Sequence, residues 1–158
     1  MTLSIHFGRT TIMIRKLQEP DVDRVMALWL GANLKAHDFV PAAYWRNNFE
    51  SVKEMLPQAE VYVYEEAGAI QGFVSLSGGY IEGIFVSGEM QSQGIGKRLL
   101  DHMKAIKDTL HLSVYQKNTR AIRFYQREGF VIQREGLDES AGEKEYTMLW
   151  RQATIRRC

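Results

Sequence analysis

The 158-residue chain carries one cysteine, three prolines and four histidines. A lone thiol, Cys158, makes no internal disulfide and supplies no four-cysteine zinc site, and it fits a reducing compartment. As the last residue it lacks the surroundings that lower a catalytic thiol's pKa, so covalent catalysis through sulfur is not expected. His6, His37, His102 and His111 show no ligand spacing, so no metal is expected. Long apolar runs are missing too. Val25–Leu30 falls far short of the ~20 residues that span a bilayer, and Met1–Ile12 lacks a basic stretch leading into an apolar one. The expectation is a cytoplasmic protein with no membrane partner. Nor does either sign of charge dominate. Twenty Lys and Arg against 19 Asp and Glu leave a net +1, which argues against a nucleic-acid partner. With no repeat, low-complexity tract or Pro/Gly-rich linker, one domain is expected over 13–152. Residues 1–12 read as a start-site extension or poorly ordered leader before Met13, and 153–158 as a tail.

What is present suits a folded domain: 45% of the residues are hydrophobic, and a chain of this length buries roughly 70% of its unfolded surface. Alternation over Ile12–Leu17 predicts a strand. Pro20-Asp21 introduces a helix with Val22, Val25, Met26 and Trp29 on one face, and a second helix runs from Pro41 to about Met55. Val61–Tyr64, Ile70–Leu76 and Tyr80–Val86 are β-rich runs separated by Ala67-Gly68 and Gly78-Gly79, predicting an antiparallel meander. Beyond residue 93 helices and strands alternate: a helix through Leu99, Leu100, Met103 and Ile106, a strand Leu110–Tyr115, a helix through Ala121, Ile122, Phe124 and Tyr125, then strands Phe130–Arg134 and Tyr146–Trp150. The fold class is α/β, a mixed, mostly antiparallel sheet of about six to seven strands with helices on both faces.

The chemistry is concentrated in Gln91-Ser92-Gln93-Gly94-Ile95-Gly96-Lys97, between a strand and an amphipathic helix. Backbone N–H groups at a helix N-terminus attract anions, and Gly94 and Gly96 let a phosphate approach the backbone. A Walker A loop fails, because Gln91 stands where its first glycine belongs and Arg98 where Ser or Thr should follow the lysine. A dinucleotide fingerprint from Gly94 fails at Leu99. A glycine-rich helix start with no ligand is the remaining alternative. A second motif follows: Ser113-Val114-Tyr115-Gln116-Lys117-Asn118, then Ala121, Phe124-Tyr125 and Gly129-Phe130.

Together, in this order, the two motifs resemble those of the GNAT superfamily of acetyl-CoA-dependent N-acetyltransferases, in particular its small bacterial single-domain members. The resemblance spans roughly Met13–Arg151. It implies acetyl-CoA as cosubstrate, bound first, and direct transfer of the acetyl group to a primary amine of a small molecule, protein lysine or N-terminus. Backbone groups of Ile84, Phe85 and Val86 are implied to meet the pantetheine arm, and Gln91, Ser92, Gln93, Gly94, Ile95, Gly96 and Lys97 the diphosphate. Asn118 is implied to hydrogen-bond the cofactor arm, its other reading being a helix N-cap with Thr119 sharing the task.

Tyr125 matches the family's general acid. A phenol with pKa near ~10 stays protonated at neutral pH and supplies the proton for the departing thiolate, while a strand N–H meets the developing oxyanion. The adjacent Phe124 is the better core candidate. Glu82, whose period-2 neighbours are Tyr80 and Ile84, is the first candidate for the base that deprotonates the amine. Tyr115 and His37, the latter beside Asp38, are secondary candidates. Of the aromatic cluster Phe39, Tyr44, Trp45 and Phe49, Tyr44 and Trp45 cannot face the same way, so one is core and the other lines the acceptor site.

The near-zero charge conceals an asymmetry. Residues 97–127 hold eight basic and two acidic side chains, a net +6, leaving 12 basic and 17 acidic elsewhere, a net −5. The basic half suits a polyanionic cofactor, with Arg120 and Arg123 as candidates for its 3′-phosphate, and the acidic remainder suits a cationic amine. The alternatives are a non-catalytic acyl-CoA sensor or a partner module on the same fold. The chain is expected to be a monomer or homodimer.

Overall fold

The computed structural model describes residues 3–7 and 10–153. Eight strands form one sheet: β1 Leu3–Phe7, β2 Thr10–Lys16, β3 Glu60–Glu66, β4 Ala69–Ser77, β5 Tyr80–Val86, β6 Thr109–Tyr115, β7 Val131–Asp138 and β8 Glu143–Arg151. Their order is β1-β2-β3-β4-β5-β6-β8-β7. Every neighbouring pair is antiparallel except β5 and β6. Four helices complete the fold: α1 Val22–Ala36, α2 Ala42–Met55, α3 Ile95–Ile106 and α4 Thr119–Arg127. The expected α/β sheet is present, with one strand beyond the expected count. That strand is β1, inside the segment expected as a leader; it pairs antiparallel with β2 from Leu3–Ile14 to Phe7–Thr10 and so joins the edge by backbone pairing. Of the expected tail only residue 153 is described; Cys158 lies outside the described residues.

Strand periodicity divides the interior in two. In β3, Tyr62 and Tyr64 enter the core beneath α3 and α4, while Val61 and Val63 enter the core beneath α1 and α2. The first core takes Ile95, Leu99, Leu100 and Met103 of α3 at helical spacing. Fully burying each of these large side chains is worth about 2 kcal/mol. In the second core, Trp29 of α1 packs edge-on against Trp45 of α2 at 6.0 Å between ring centroids.

Asp21 anchors the start of α1. Its carboxylate takes two hydrogen bonds from the Arg15 guanidinium, at 2.7 and 3.0 Å, and one from the Gln18 N–H at 2.8 Å. The Arg15 bonds hold the Asp21 pKa below its ordinary value, against the opposing effect of burial. Among the described residues no helix is long and apolar enough to cross a membrane.

Candidate active site

The cleft originates in the one parallel pairing. β5 and β6 are in register only at Tyr80–His111 and Ile81–Leu112, whereas β6 stays paired with β8 up to Tyr115–Glu145. Beyond Ile81 the strands part, and among the described residues the β6-facing backbone of Ile84, Phe85 and Val86 has no strand partner. The resulting cleft, about 1210 Å³, runs from the α3 N-terminus to the end of α1. Ile84, Phe85 and Val86 line one side, and Ser113, Val114 and Tyr115 the other.

At one end lies the glycine loop. Gly94 caps α3 with φ of +82°, and nothing lies within 4 Å of where its Cβ would be. A side chain there would be both strained and in the way. The first turn of α3 offers its unsatisfied N–H groups beside this open space. Arg120 of α4 braces the loop, donating to Gln91 Oε1 and Ser92 Oγ at 3.0 Å each. Lys97 contributes its backbone to that turn, but its ammonium pairs with Glu128 at 3.0 Å and Asp101 at 3.5 Å. Gln93 is exposed in the loop and Ile95 is buried beneath it, while Arg123 lines the cleft. This end fits an elongated cofactor carrying a diphosphate: donors, an open glycine and an unpaired strand edge follow one another along the cleft.

Midway stands Tyr125. It is 8% exposed, its ring packs on Phe124 and Phe130 at 5.2 and 5.4 Å, and it borders the cleft. Burial, with a smaller effect of Tyr80, raises its pKa, so the phenol keeps its proton. Phe124, the expected core residue of the pair, packs half-buried against that core and over Gly96, and Tyr125 is the more deeply buried of the two. Glu82 is exposed at the cleft and accepts from Ser75 Oγ at 3.3 Å. Contrary to the two-residue period, Glu82 does not share the face of Ile84. A bulge pairs Ser75 with Gly83 and Leu76 with Ile81, leaving Glu82 unopposed. Alternation is thereby reset, and Ile81 and Ile84, three apart, enter the same core.

The far end is acidic and aromatic. Tyr115 donates to Asp138 Oδ2 at 2.7 Å; burial first, and Asp138 second, push its pKa upward. A phenol so placed donates rather than accepts a proton, which weighs against Tyr115 as the base. Asp138 Oδ1 takes bonds from Ser140 and Ala141, and these with Tyr115 hold its carboxyl low despite burial. The neighbouring Glu145 is raised, by burial and then by Asp138. Neither carboxylate was singled out from sequence; both reach the cleft through the β7–β8 hairpin. The expected split between Tyr44 and Trp45 is not found: Trp45 is both the buried member and the one that lines the cleft, whereas Tyr44 packs edge-on against it and bonds Ser140 Oγ at 2.8 Å. His37 follows α1 with its ring stacked on Trp45 at 5.4 Å. Its Nδ1 lies 2.9 Å from Asn33 Oδ1 and its Nε2 lies 3.1 Å from Asn118 Nδ2. Burial lowers its pKa to about 4. Asn118 caps α4, its Oδ1 accepting from the Ala121 N–H at 3.2 Å.

A family model described as Acetyltransferase (GNAT) domain matches residues 57–132. The peptidyl-lysine N-acetyltransferase YiaC of Escherichia coli (strain K12) is 38% identical over 122 residues, covering 76% of this chain and 84% of YiaC. The chain belongs to the GNAT acetyltransferase family. The solution structure of the apo form of YjaB from Escherichia coli has a TM-score of 0.79 at 25% identity, covering 90% of this GNAT chain and 99% of that one. Spermidine N-acetyltransferase from Vibrio cholerae, in complex with CoA and spermine, superposes with a TM-score of 0.67 at 21% identity, covering 89% and 95%. The parted strands and the helix-capping glycine loop of this GNAT domain are therefore parts of an acetyltransferase fold.

Proposed function

We propose that this GNAT enzyme transfers the acetyl group of acetyl-CoA to the side-chain amine of a protein lysine. The observation that carries the reading is the parting of β5 and β6, which opens a cleft from the α3 N-terminus past the Tyr125 phenol to an acidic, aromatic end. The relative YiaC is a peptidyl-lysine N-acetyltransferase, and the spermidine enzyme's structure contains CoA.

Acetyl-CoA supplies an activated acyl group on a thioester; the chain supplies position, charge and protons. The α3 N-terminus and Arg120 hold the diphosphate, Arg123 the 3′-phosphate, and the free edge of Ile84–Val86 and the Asn118 amide the pantetheine arm. A β5 N–H in that edge meets negative charge developing on the acetyl oxygen. Tyr125, protonated across the neutral range, donates its proton to the departing sulfur. Glu82, exposed and accepting from Ser75 Oγ, takes the proton that a lysine ammonium must lose before it attacks. Asp138 and Glu145, beyond Tyr115, draw the cationic side chain toward the cleft. In this reading the enzyme is cytoplasmic, where a lone cysteine stays reduced, and its acceptor is a protein rather than a nucleic acid or membrane.

The test is direct. Acetyl-CoA should raise the melting temperature, since a ligand specific for the native state stabilises it, and incubation with lysine peptides should add acetyl groups detectable by mass spectrometry. No thermal shift at saturating acetyl-CoA sinks the reading; a shift without transfer to any amine leaves an acyl-CoA sensor in its place.

A further inference from the structure

A polar chain crosses the cleft from α1 to α4, and its direction is fixed at both ends by backbone groups. The Trp29 carbonyl only accepts, so Asn33 presents Nδ2 to it, at 2.9 Å, and turns Oδ1 toward His37. Oδ1 accepts, so the proton of the neutral ring is on Nδ1 and Nε2 is left as an acceptor. From the other end, the Ala121 N–H only donates, so Asn118 turns Oδ1 to it and Nδ2 to His37 Nε2. Both ends thus demand the same tautomer. The ring is also fixed in space: Trp45 stacks on it, while Tyr115 and Phe39 meet it edge-on at 5.0 and 5.7 Å.

We propose that His37 is a positioning residue of the acetyl-CoA site: its Nε2 holds the Asn118 amide so that one N–H of that amide remains to donate into the cleft. The amide has two N–H donors, and among the described residues only one is engaged. This role rests on the reading that Asn118 donates to the cofactor arm. It also explains a histidine in a half-buried aromatic setting, where a charged ring would set an N–H against the Asn118 N–H. The titratable and charged groups around the ring are Tyr115 with its partner Asp138, the adjacent Asp38, and Lys117, which lies over Phe39 and pairs with Glu143.

Two variants and one spectrum test the role in the full-length enzyme. His37→Phe keeps the ring packing and removes the bond to Asn118; it should raise KM for acetyl-CoA about fivefold to tenfold, the loss of one hydrogen bond, with kcat little changed. His37→Gln places an amide oxygen near the Nε2 position and should recover most of that KM. In the wild type, long-range 1H–15N spectra should show Nε2 unprotonated and Nδ1 protonated from pH 6 to 8. An Nε2–H tautomer, an unchanged KM in His37→Phe, or a fall in kcat alone overturns the proposal. If the Phe variant does not fold, the tautomer and the Gln variant decide it. If the wild type binds no acetyl-CoA, the cofactor reading fails and this role with it, whereas the spectrum still reports on the His37–Asn118 bond separately.

Discussion

Tyr115 at the end of β6 and Asp138 at the end of β7 are joined by a hydrogen bond of 2.7 Å, with β8 lying between their strands. The bond ties the deep wall of the cleft to the β7–β8 turn. Tyr115→Phe should cost about 1.5 kcal/mol, as for a hydrogen bond to a charged group. Thermal denaturation should show a melting temperature lower by about 4 °C, with acetyl-CoA affinity unchanged.

Tyr125→Phe keeps the ring packing against Phe124 and Phe130 and removes only the hydroxyl, and with it the proton donor. Turnover of a lysine peptide should fall about a hundredfold, the typical contribution of a positioned acid. The dissociation constant for acetyl-CoA, measured by calorimetry, should stay within about twofold, because binding uses other groups.

Glu82→Gln removes the proposed proton acceptor. At pH 7 a lysine amine with pKa of about 10.4 is almost wholly protonated, so kcat/KM should drop sharply there and recover as pH rises toward 10. A pH–rate profile parallel to that of the wild type would assign the base elsewhere.

Gly72 of β4 lies where a side chain has no room. A Cβ would stand 2.9 Å from the Phe85 carbonyl oxygen and 3.0 Å from Ile95 Cγ2. Gly72→Ala should destabilise by about 2 kcal/mol through overpacking. It should also weaken acetyl-CoA binding, since it displaces both the β5 side of the cleft and the start of α3.

Asp21→Asn breaks the bidentate pair with Arg15 and should cost about 2 kcal/mol at pH 7. The folded-state pKa of Asp21 is depressed, so its contribution is present above the unfolded value of about 3.9 and is lost as pH falls through the lower folded value. Denaturation curves of wild type and variant should therefore converge in acid.

Local patterns carried much of the fold. Ala67-Gly68 and Gly78-Gly79 marked the turns of β3–β5, and the apolar spacing of α3 marked its buried face. That the glycine loop opens a helix and that Tyr125 lies on the next one was legible, because a helix start and a two-motif order are written in consecutive residues. Features made by pairing were not. The bulge at Glu82 exists only in the register of β4 with β5, so a two-residue period misplaced Glu82 relative to Ile84. Asp138 and Glu145 enter the cleft through a hairpin whose β7 is exposed along nearly its whole length and therefore shows no burial rhythm. His37 and Asn118 are 81 residues apart, beyond the reach of any local pattern.

The two cores on opposite faces of the sheet have a consequence for how such an enzyme diversifies. The glycine loop opens α3, and the anchors of α3 and α4 fill one core, whereas Trp45 and Phe39 pack in the other. Under the proposed function, substitutions in α1 and α2 would reshape which amine is admitted while the core under α3 and α4 keeps its packing. His37 is where that freedom would end, since its ring bonds Asn118 of the other half, and a replacement there removes the bond.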